Sequence, residues 1–310
     1  MKRLKLNARS ALPLVLLTVY ALLILTRLIP SEVMDSTVKL FFALVILELL
    51  VFALPVYLYC RMRERDYLKE LPFHFFSGKF TPFLVSLGFL MLSGGLVINA
   101  LFYFWGFGSA SYASLGSFIL SDVSIDKNPL YVLLAYGALP AVCEEVLFRG
   151  ILIHEYKKYS FPTAAIISSL AYAFCYFDLS SFPFYFLSGL ILAYIVRMTG
   201  SLFAAILTRF ALNVASIYLM PSIWGLLTQP LGVLFAVFVA MALFIICLFF
   251  ALKTTEKRYR EMACDPLLAE ERPYPFKKAV RNALQVLKEP AYLLCIATYV
   301  ITVVLTLIFG

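Results

Sequence analysis

Long apolar runs separated by short polar segments make up most of this chain. Several runs approach or exceed the length of about 20 residues that a helix needs to cross a bilayer. They lie at 11–26, 40–60, 82–105, 129–153, 161–178, 182–196, 199–220, 230–252 and 290–309. The pattern predicts an all-α, polytopic transmembrane helical bundle with eight to nine spans, depending on whether the last run crosses the membrane.

Composition agrees with a membrane protein and excludes two other classes. Hydrophobic residues make up 63% of the chain, charged residues 14%, and the mean hydropathy is +0.91, which excludes a soluble globule. The net charge of +8 is spread between the apolar runs instead of forming one patch, so we predict no nucleic-acid partner. The chain has no CxxC pair and only two histidines, which are too few for a histidine-rich metal site.

The basic residues predict the orientation of the bundle. With the N-terminus in the cytoplasm, nearly all of the 26 Lys and Arg residues fall on the cytoplasmic side, and only Arg27, Lys39 and Lys127 fall outside. The first apolar run is expected to remain as an uncleaved helix, because it is longer than a usual signal-peptide core. We expect an integral protein of a bacterial plasma membrane whose first partner is the lipid bilayer.

Three regions are expected along the chain. Residues 1–252 form the transmembrane bundle, with the region of interest at about 129–220. Residues 253–289 form a basic cytoplasmic segment with an amphipathic helix on the membrane surface, and residues 290–310 form a C-terminal transmembrane helix.

Two adjacent carboxylates and an arginine interrupt the fourth apolar run. In a helix, Glu145 and Arg149 lie four apart on one face and can form an ion pair, whereas Glu144 is turned about 100° away toward a different neighbour. An ionised side chain at mid-bilayer costs about 2.5–3.5 kcal/mol on insertion scales and marks a functional site by default. The sequence therefore predicts an intramembrane site at these residues.

Other polar residues lie within or at the ends of apolar runs. They are Glu48, Asp178, Arg209 and Asn213, and the last two share one helix face because they are four apart. One alternative remains open at this point: an ion-paired core in which Glu144, Glu145 and Asp178 face Arg149 and Arg209 and only hold helices together. A small transporter is a weaker alternative, because no pair of broken helices in two related halves is visible.

The polar residues and their spacing resemble the CAAX protease and bacteriocin-processing (CPBP or Abi) family. The resemblance rests on Glu144-Glu145-x-x-x-Arg149, Phe174 with Asp178, the Phe186-Leu-Ser-Gly189 segment, and Thr199-Gly200-Ser201-Leu202 leading to Arg209 and Asn213. It implies a helical intramembrane protease that hydrolyses peptide bonds of membrane-associated substrates. It also implies that Glu144 activates the water and that Glu145 with Arg149 supports it.

This chain departs from the family at two positions, because Asp178 and Arg209 stand where the family has histidine. We expect a hydrolase in which Glu144 is the base, Arg209 and Asn213 donate to the oxyanion, and Asp178 orients Arg209. An arginine cannot ligate a metal and would repel a divalent ion, so no metal or other cofactor is predicted. The alternative is a catalytically silent family member that binds and regulates or scaffolds a membrane protein.

Overall fold

The structure, a computed structural model, describes residues 8–27, 37–63, 67–104, 129–218, 230–263 and 274–309. Within these ranges it contains helices and short connections, and no strand. Apart from the single turns Tyr67–Glu70 and Gly78–Phe80, the helices in chain order are α1 Ala8–Thr26; α2 with segments Thr37–Glu48, Leu49–Ala53 and Leu54–Arg63; α3 Thr81–Phe104; α4 with segments Pro129–Val132, Leu133–Ala138, Leu139–Glu145, Val146–Leu152 and Ile153–Tyr156; α5 Phe161–Phe174; α6 Phe182–Thr199; α7 Leu202–Tyr218; α8 Pro230–Ala263; α9 Phe276–Leu287; and α10 Pro290–Phe309.

The all-helical membrane fold is confirmed. Among the described helices, six are long and apolar enough to cross a membrane, namely α2, α3, α4, α6, α8 and α10. Helices α1, α5 and α7 are apolar but shorter. Helices thus occur at all of the predicted positions, while the number that crosses the bilayer stays a prediction. Lys127 and the basic residues Lys2, Arg3 and Lys5, on which the orientation partly depends, lie outside the described residues.

Two helix ends differ from those expected from hydropathy. Helix α5 ends at Phe174 instead of continuing to residue 178, and Phe177 has a positive φ of 48°. Helix α8 continues to Ala263, well past the expected end of the run at residue 252. The first difference affects the site, because the residues after Phe174 no longer follow a helical face.

Helix α4 lies at the centre of the bundle, where it packs against α2, α5 and α7. Its buried apolar residues include Leu147, Phe148, Ile151 and Leu152. Around it, α3 packs against α8, α5 against α6, and α1 against α10. The backbones of α5 and α6 approach closely, since a Cβ atom on Gly189 would lie 2.9 Å from Cα of Ser169.

Two π-helical segments of α4, Leu133–Ala138 and Val146–Leu152, flank its glutamates. A π turn interrupts the regular backbone ladder, and in a membrane every backbone polar group has to find a partner within the protein. Asn213 of α7 donates through Nδ2 to the carbonyl oxygen of Gly137 at 3.3 Å, and Ser168 of α5 donates to that of Phe148 at 2.7 Å. Side chains of two neighbouring helices therefore support the irregular backbone around the glutamates.

Helix α9 has the amphipathic character expected for the 253–289 segment. Ala279, Ala283 and Val286 are buried, and α9 packs against α5, where Thr163 donates to the carbonyl oxygen of Ala279 at 3.3 Å. Phe276 and Leu284 are exposed apolar residues, as a helix lying on a membrane surface would need. Its placement on the membrane stays a prediction.

Candidate functional site

The two glutamates and the arginine of α4 are buried. Glu144 is 1% exposed, Glu145 is 0% exposed and Arg149 is 2% exposed. Pro140 lies in the first turn of the Leu139–Glu145 segment, where its missing N–H does not weaken the segment's own hydrogen bonds. The chain thus places two carboxylates and one guanidinium in the middle of a largely buried helix, where each needs a partner.

Glu145 and Arg149 form the ion pair that their spacing predicts. Arg149 Nη1 lies 2.9 Å from Glu145 Oε1, and both side chains are fully buried. The guanidinium carbon also lies 4.4 Å from the ring centroid of Tyr172 on α5, so the arginine is held by a cation–π contact as well as by charge. The ion pair itself lies within α4, and the contact of Arg149 with Tyr172 joins α4 to α5.

Glu144 turns to a different helix, as its position beside Glu145 predicts. Its Oε2 accepts a hydrogen bond from Arg209 Nη2 at 3.2 Å, and Arg209 is 2% exposed on α7. The same Nη2 donates to the hydroxyl of Tyr176 at 2.5 Å. Glu144 Oε1 is buried and has no hydrogen-bond partner among the described residues. One oxygen of Glu144 is therefore fixed by a cation, and the other remains available to accept a proton.

Three tyrosines enclose this cluster, and analysis of the sequence missed all of them. The hydroxyls of Tyr172 and Tyr176 lie 3.0 Å apart, and the rings of Tyr176 and Tyr185 stack with an angle of 4° between their planes. The guanidinium of Arg209 lies 5.2 Å from the ring centroid of Tyr172. Tyr172 and Tyr176 are four residues apart, and this spacing could have indicated that they share one helix face. Aromatic residues within an apolar run do not stand out as charged residues do.

Asp178 does not orient Arg209, which corrects one expectation. Its Oδ1 accepts from the backbone nitrogen of Ser180 at 2.9 Å and from the hydroxyl of Ser180 at 2.7 Å, and its Oδ2 accepts from the hydroxyl of Ser181. The physical reason is the early end of α5, after which the chain turns toward α6. Tyr176, not Asp178, is the residue from this segment that reaches Arg209.

Asn213 lies one helical turn beyond Arg209 on the buried face of α7, and it is 3% exposed. One of its amide N–H groups donates to Gly137, as described above. Since an amide nitrogen carries two hydrogens, a second donor remains on the same atom. The structure therefore brings Glu144, Arg209 and Asn213 to the interface of α4 and α7, with Glu145 and Arg149 beside them.

The turn between α6 and α7 anchors the start of the helix that carries Arg209. Gly200 has a φ of 67° and closes α6 through a hydrogen bond of 2.8 Å from its nitrogen to the carbonyl oxygen of Val196. The Leu202 nitrogen donates to Pro72 at 3.0 Å, and the hydroxyl of Ser201 donates to the carbonyl oxygen of His74. These bonds tie the start of α7 to the segment that precedes α3, so the short Thr199 to Leu202 motif has a structural role here.

Neither histidine takes part in the charged cluster. His154 Nε2 lies 3.3 Å from Glu70 Oε2, and His74 lies beside the turn at Ser201. In the part of the chain that the structure describes, no group of three or more His, Cys, Asp or Glu side chains is arranged to hold a metal ion. The described site thus consists of carboxylates, guanidinium groups, an amide and phenols.

Part of the chain is similar to a known family. Residues 126–215 match the family described as type II CAAX prenyl endopeptidase Rce1-like, and the matched region runs from just before α4 into α7. It contains Glu144, Glu145, Arg149, Arg209 and Asn213. No curated protein and no solved structure matches the chain. The resemblance that the motifs indicate is confirmed for this part of the chain, since residues 126–215 are similar to the Rce1-like family.

Proposed function

We propose that this protein is an intramembrane endopeptidase in which Glu144 activates water to hydrolyse peptide bonds. The similarity of residues 126–215 to the Rce1-like family supports the reaction class, a CAAX-type intramembrane endopeptidase. The mechanism rests on the different contacts of the two carboxylate oxygens of Glu144. Oε2 accepts a hydrogen bond from Arg209, whereas Oε1 is buried and has no hydrogen-bond partner among the described residues. A carboxylate oxygen of this kind accepts a proton readily from water that approaches a substrate carbonyl.

Arg209 and Asn213 are the proposed oxyanion donors. When water adds to the carbonyl carbon, negative charge develops on the carbonyl oxygen and is stabilised by donors that are already in place. Arg209 Nε is buried without a hydrogen-bond partner among the described residues, and Asn213 keeps a second amide hydrogen. Tyr176 assists by holding the Arg209 guanidinium from the side of α5.

The remaining predicted site residues are proposed to position this machinery. Glu145 and Arg149 fix the face of α4 that presents Glu144 to α7. Asp178 acts further away, since it closes the turn that follows Tyr176 and leads into α6. No metal ion or other cofactor is assigned to the reaction.

The substrates are proposed to be peptides or proteins that stay associated with the membrane. An apolar cavity of about 370 Å³ lies between α3 and α7, and Thr208 and Leu212 of α7 line it next to Arg209 and Asn213 in sequence. Such a surface suits an apolar segment that approaches from the lipid. A prenyl group as part of the substrate is suggested only by the description of the matching family.

A catalytically silent protein that binds and regulates or scaffolds a membrane partner is the second candidate. One observation favours it: Arg209 lies 3.2 Å from Glu144 and neutralises its charge, so the pair could hold α4 and α7 together without any reaction. The same contact is consistent with a base that is held in place. The two functions differ in whether peptide bonds are cleaved.

We expect Glu144→Gln to lower hydrolysis by about 10²–10⁴-fold, because the amide keeps the shape but cannot accept the proton. It also leaves Arg209 without its counter-charge, so Glu144→Asp, which retains the charge but shifts the carboxylate, is measured in parallel. Since a misplacement of about 1 Å can cost 10²-fold, the Asp variant should lose a comparable factor while melting close to the parent. The assay uses purified protein in lipid and a panel of membrane peptides, with and without chelator.

The matched control for this test is Glu155→Gln, which changes another buried glutamate of α4, 3.6 Å from Arg63. It should cleave at the rate of the parent. Cleavage by Glu144→Gln at the parental rate would contradict the role of Glu144 as base. If the parent cleaves no peptide and Asp178→His/Arg209→His gains activity, the protein is the silent family member.

Loss of the buried Glu145–Arg149 pair should destabilise the folded protein. Arg149→Ala leaves Glu145 buried and uncompensated, which costs about 3–5 kcal/mol, so the yield of folded protein in detergent and its melting temperature should fall. The double variant Glu145→Leu/Arg149→Met removes both charges at similar volume and should recover most of the loss. An Arg149→Ala protein as abundant and as heat-stable as the parent would show that the pair has no structural role.

The N-terminus is proposed to lie in the cytoplasm of a bacterial cell, with the protein in the plasma membrane. The basic Lys157 and Lys158 follow α4 directly, and such residues are retained on the cytoplasmic side. A reporter fused after Lys158 should therefore read as cytoplasmic, and one fused at Asn128 should read as external. The opposite pair of readings would reverse the orientation of the bundle.

A further inference from the structure

A third carboxyl group lies next to the proposed base. Glu48 on α2 is only 6% exposed, and its Oε1 has no hydrogen-bond partner among the described residues. The segment Thr37–Glu48 packs against Leu139–Glu145, and the charged neighbours of Glu48 at this interface are Glu144 and Arg209. Glu48 lies outside the region that matches the Rce1-like family, so the match assigns nothing to it.

The backbone marks this position as well. Glu48 is the last residue before the π-helical segment Leu49–Ala53, and that segment also packs against Leu139–Glu145. π turns inside α-helices occur often at functional sites, where they redirect a side chain. The glutamates of both helices are thus followed directly by a π turn.

The charges at the site do not balance if every carboxyl is ionised. Glu48, Glu144 and Glu145 face two cations, and both cations are already paired, Arg149 with Glu145 and Arg209 with Glu144. Within the described ranges, the other titratable groups close to Glu48 are the thiols of Cys143 and Cys175, which supply no positive charge. An ionised Glu48 would be a desolvated charge beside a second anion, so the charges of the site balance only when Glu48 carries a proton.

We propose that Glu48 is a further catalytic residue, the general acid that protonates the leaving amine. This role rests on the proposed function. When two neighbouring carboxyl groups have different environments, one can act as the general base and the other as the general acid. Here Glu144 is paired with the cation Arg209 and takes the role of base, whereas Glu48 has no cation in an ion pair and takes the role of acid. Arg209 cannot release a proton in this pH range, and the Tyr176 hydroxyl is engaged by Arg209 and Tyr172.

The proton balance closes over one turnover. The water oxygen bonds to the carbonyl carbon while one water proton passes to Glu144. The bond between carbon and nitrogen then breaks as the Glu48 proton passes to the nitrogen, which releases an amine and a carboxylic acid. The proton on Glu144 finally moves to Glu48, which restores both groups.

The test compares two substrates of one sequence, with an amide or a thioester at the scissile bond. A thiolate leaves without prior protonation, so an enzyme that has lost its general acid should retain activity on the thioester. Glu48→Gln should therefore lose about 10²–10⁴-fold in kcat on the amide and less than about tenfold on the thioester. Glu144→Gln should lose activity on both, and Glu155→Gln on neither.

Two measurements that do not require turnover accompany the assay. Because Gln replaces a neutral group of the same shape, Glu48→Gln should melt with the parent, whereas loss of a needed counter-charge would lower its melting temperature. Infrared spectra of the parent should contain the carbonyl stretch of a protonated carboxyl group that is absent from Glu48→Gln.

The outcomes separate this proposal from the proposed function. Equal losses on amide and thioester, or no loss on either, would overturn the acid role while leaving the protease intact. A parent that cleaves neither substrate would overturn the protease and the acid role together. The infrared band then still decides whether Glu48 is the carboxyl that carries the proton.

Discussion

Charged side chains inside an apolar bundle have to be neutralised by one another, and the arrangement of the helices around α4 follows from their ion pairs. Two ion pairs bury four charges, Arg149 with Glu145 and Arg209 with Glu144. Both guanidinium groups also contact one aromatic ring, that of Tyr172, at 4.4 and 5.2 Å. Since the partners come from α4, α5 and α7, satisfying the charges also fixes the relative positions of these three helices. The orientation of Glu144 follows from the same contacts.

The irregular backbone of α4 and the polar residues around it form one system. Its two π-helical segments require partners that regular helices do not, and α7 and α5 supply them through Asn213 and Ser168. One amide hydrogen of Asn213 therefore bonds the backbone of α4, and the other is available to the proposed oxyanion site. The two uses are compatible because Gly137 and Glu144 lie on the same helix. A change at Asn213 would accordingly disturb both the helix and the proposed oxyanion site.

The sequence predicts the helices and half of the site. Apolar runs are a strong signal in a membrane protein, and the spacing of Glu145 and Arg149 is sufficient to predict their pair because both lie on one helix. Contacts between helices are different, since spacing along one helix does not determine what its face meets. For that reason Tyr172 and Tyr176 were missed, and Glu48 was noticed only as a polar interruption with no assigned role.

The misplacement of Asp178 has a local cause. Hydropathy remains high through Cys175, Tyr176 and Phe177, so the apolar run extends beyond the point at which the helix ends. A position assigned by helical spacing past Phe174 is therefore wrong, and Asp178 serves the turn instead of Arg209. A hydropathy profile measures how apolar a segment is, and it does not measure where the backbone stops being helical.

The central claim is that Glu144 activates water instead of attacking the peptide itself. A single turnover in heavy-oxygen water, followed by mass spectrometry of the product and of the peptide that contains Glu144, tests it directly. A base should place one heavy oxygen in the new carboxyl group of the product and none in Glu144. Heavy oxygen in Glu144 would indicate an acyl intermediate on the glutamate, and the absence of any cleaved product would contradict the account as a whole.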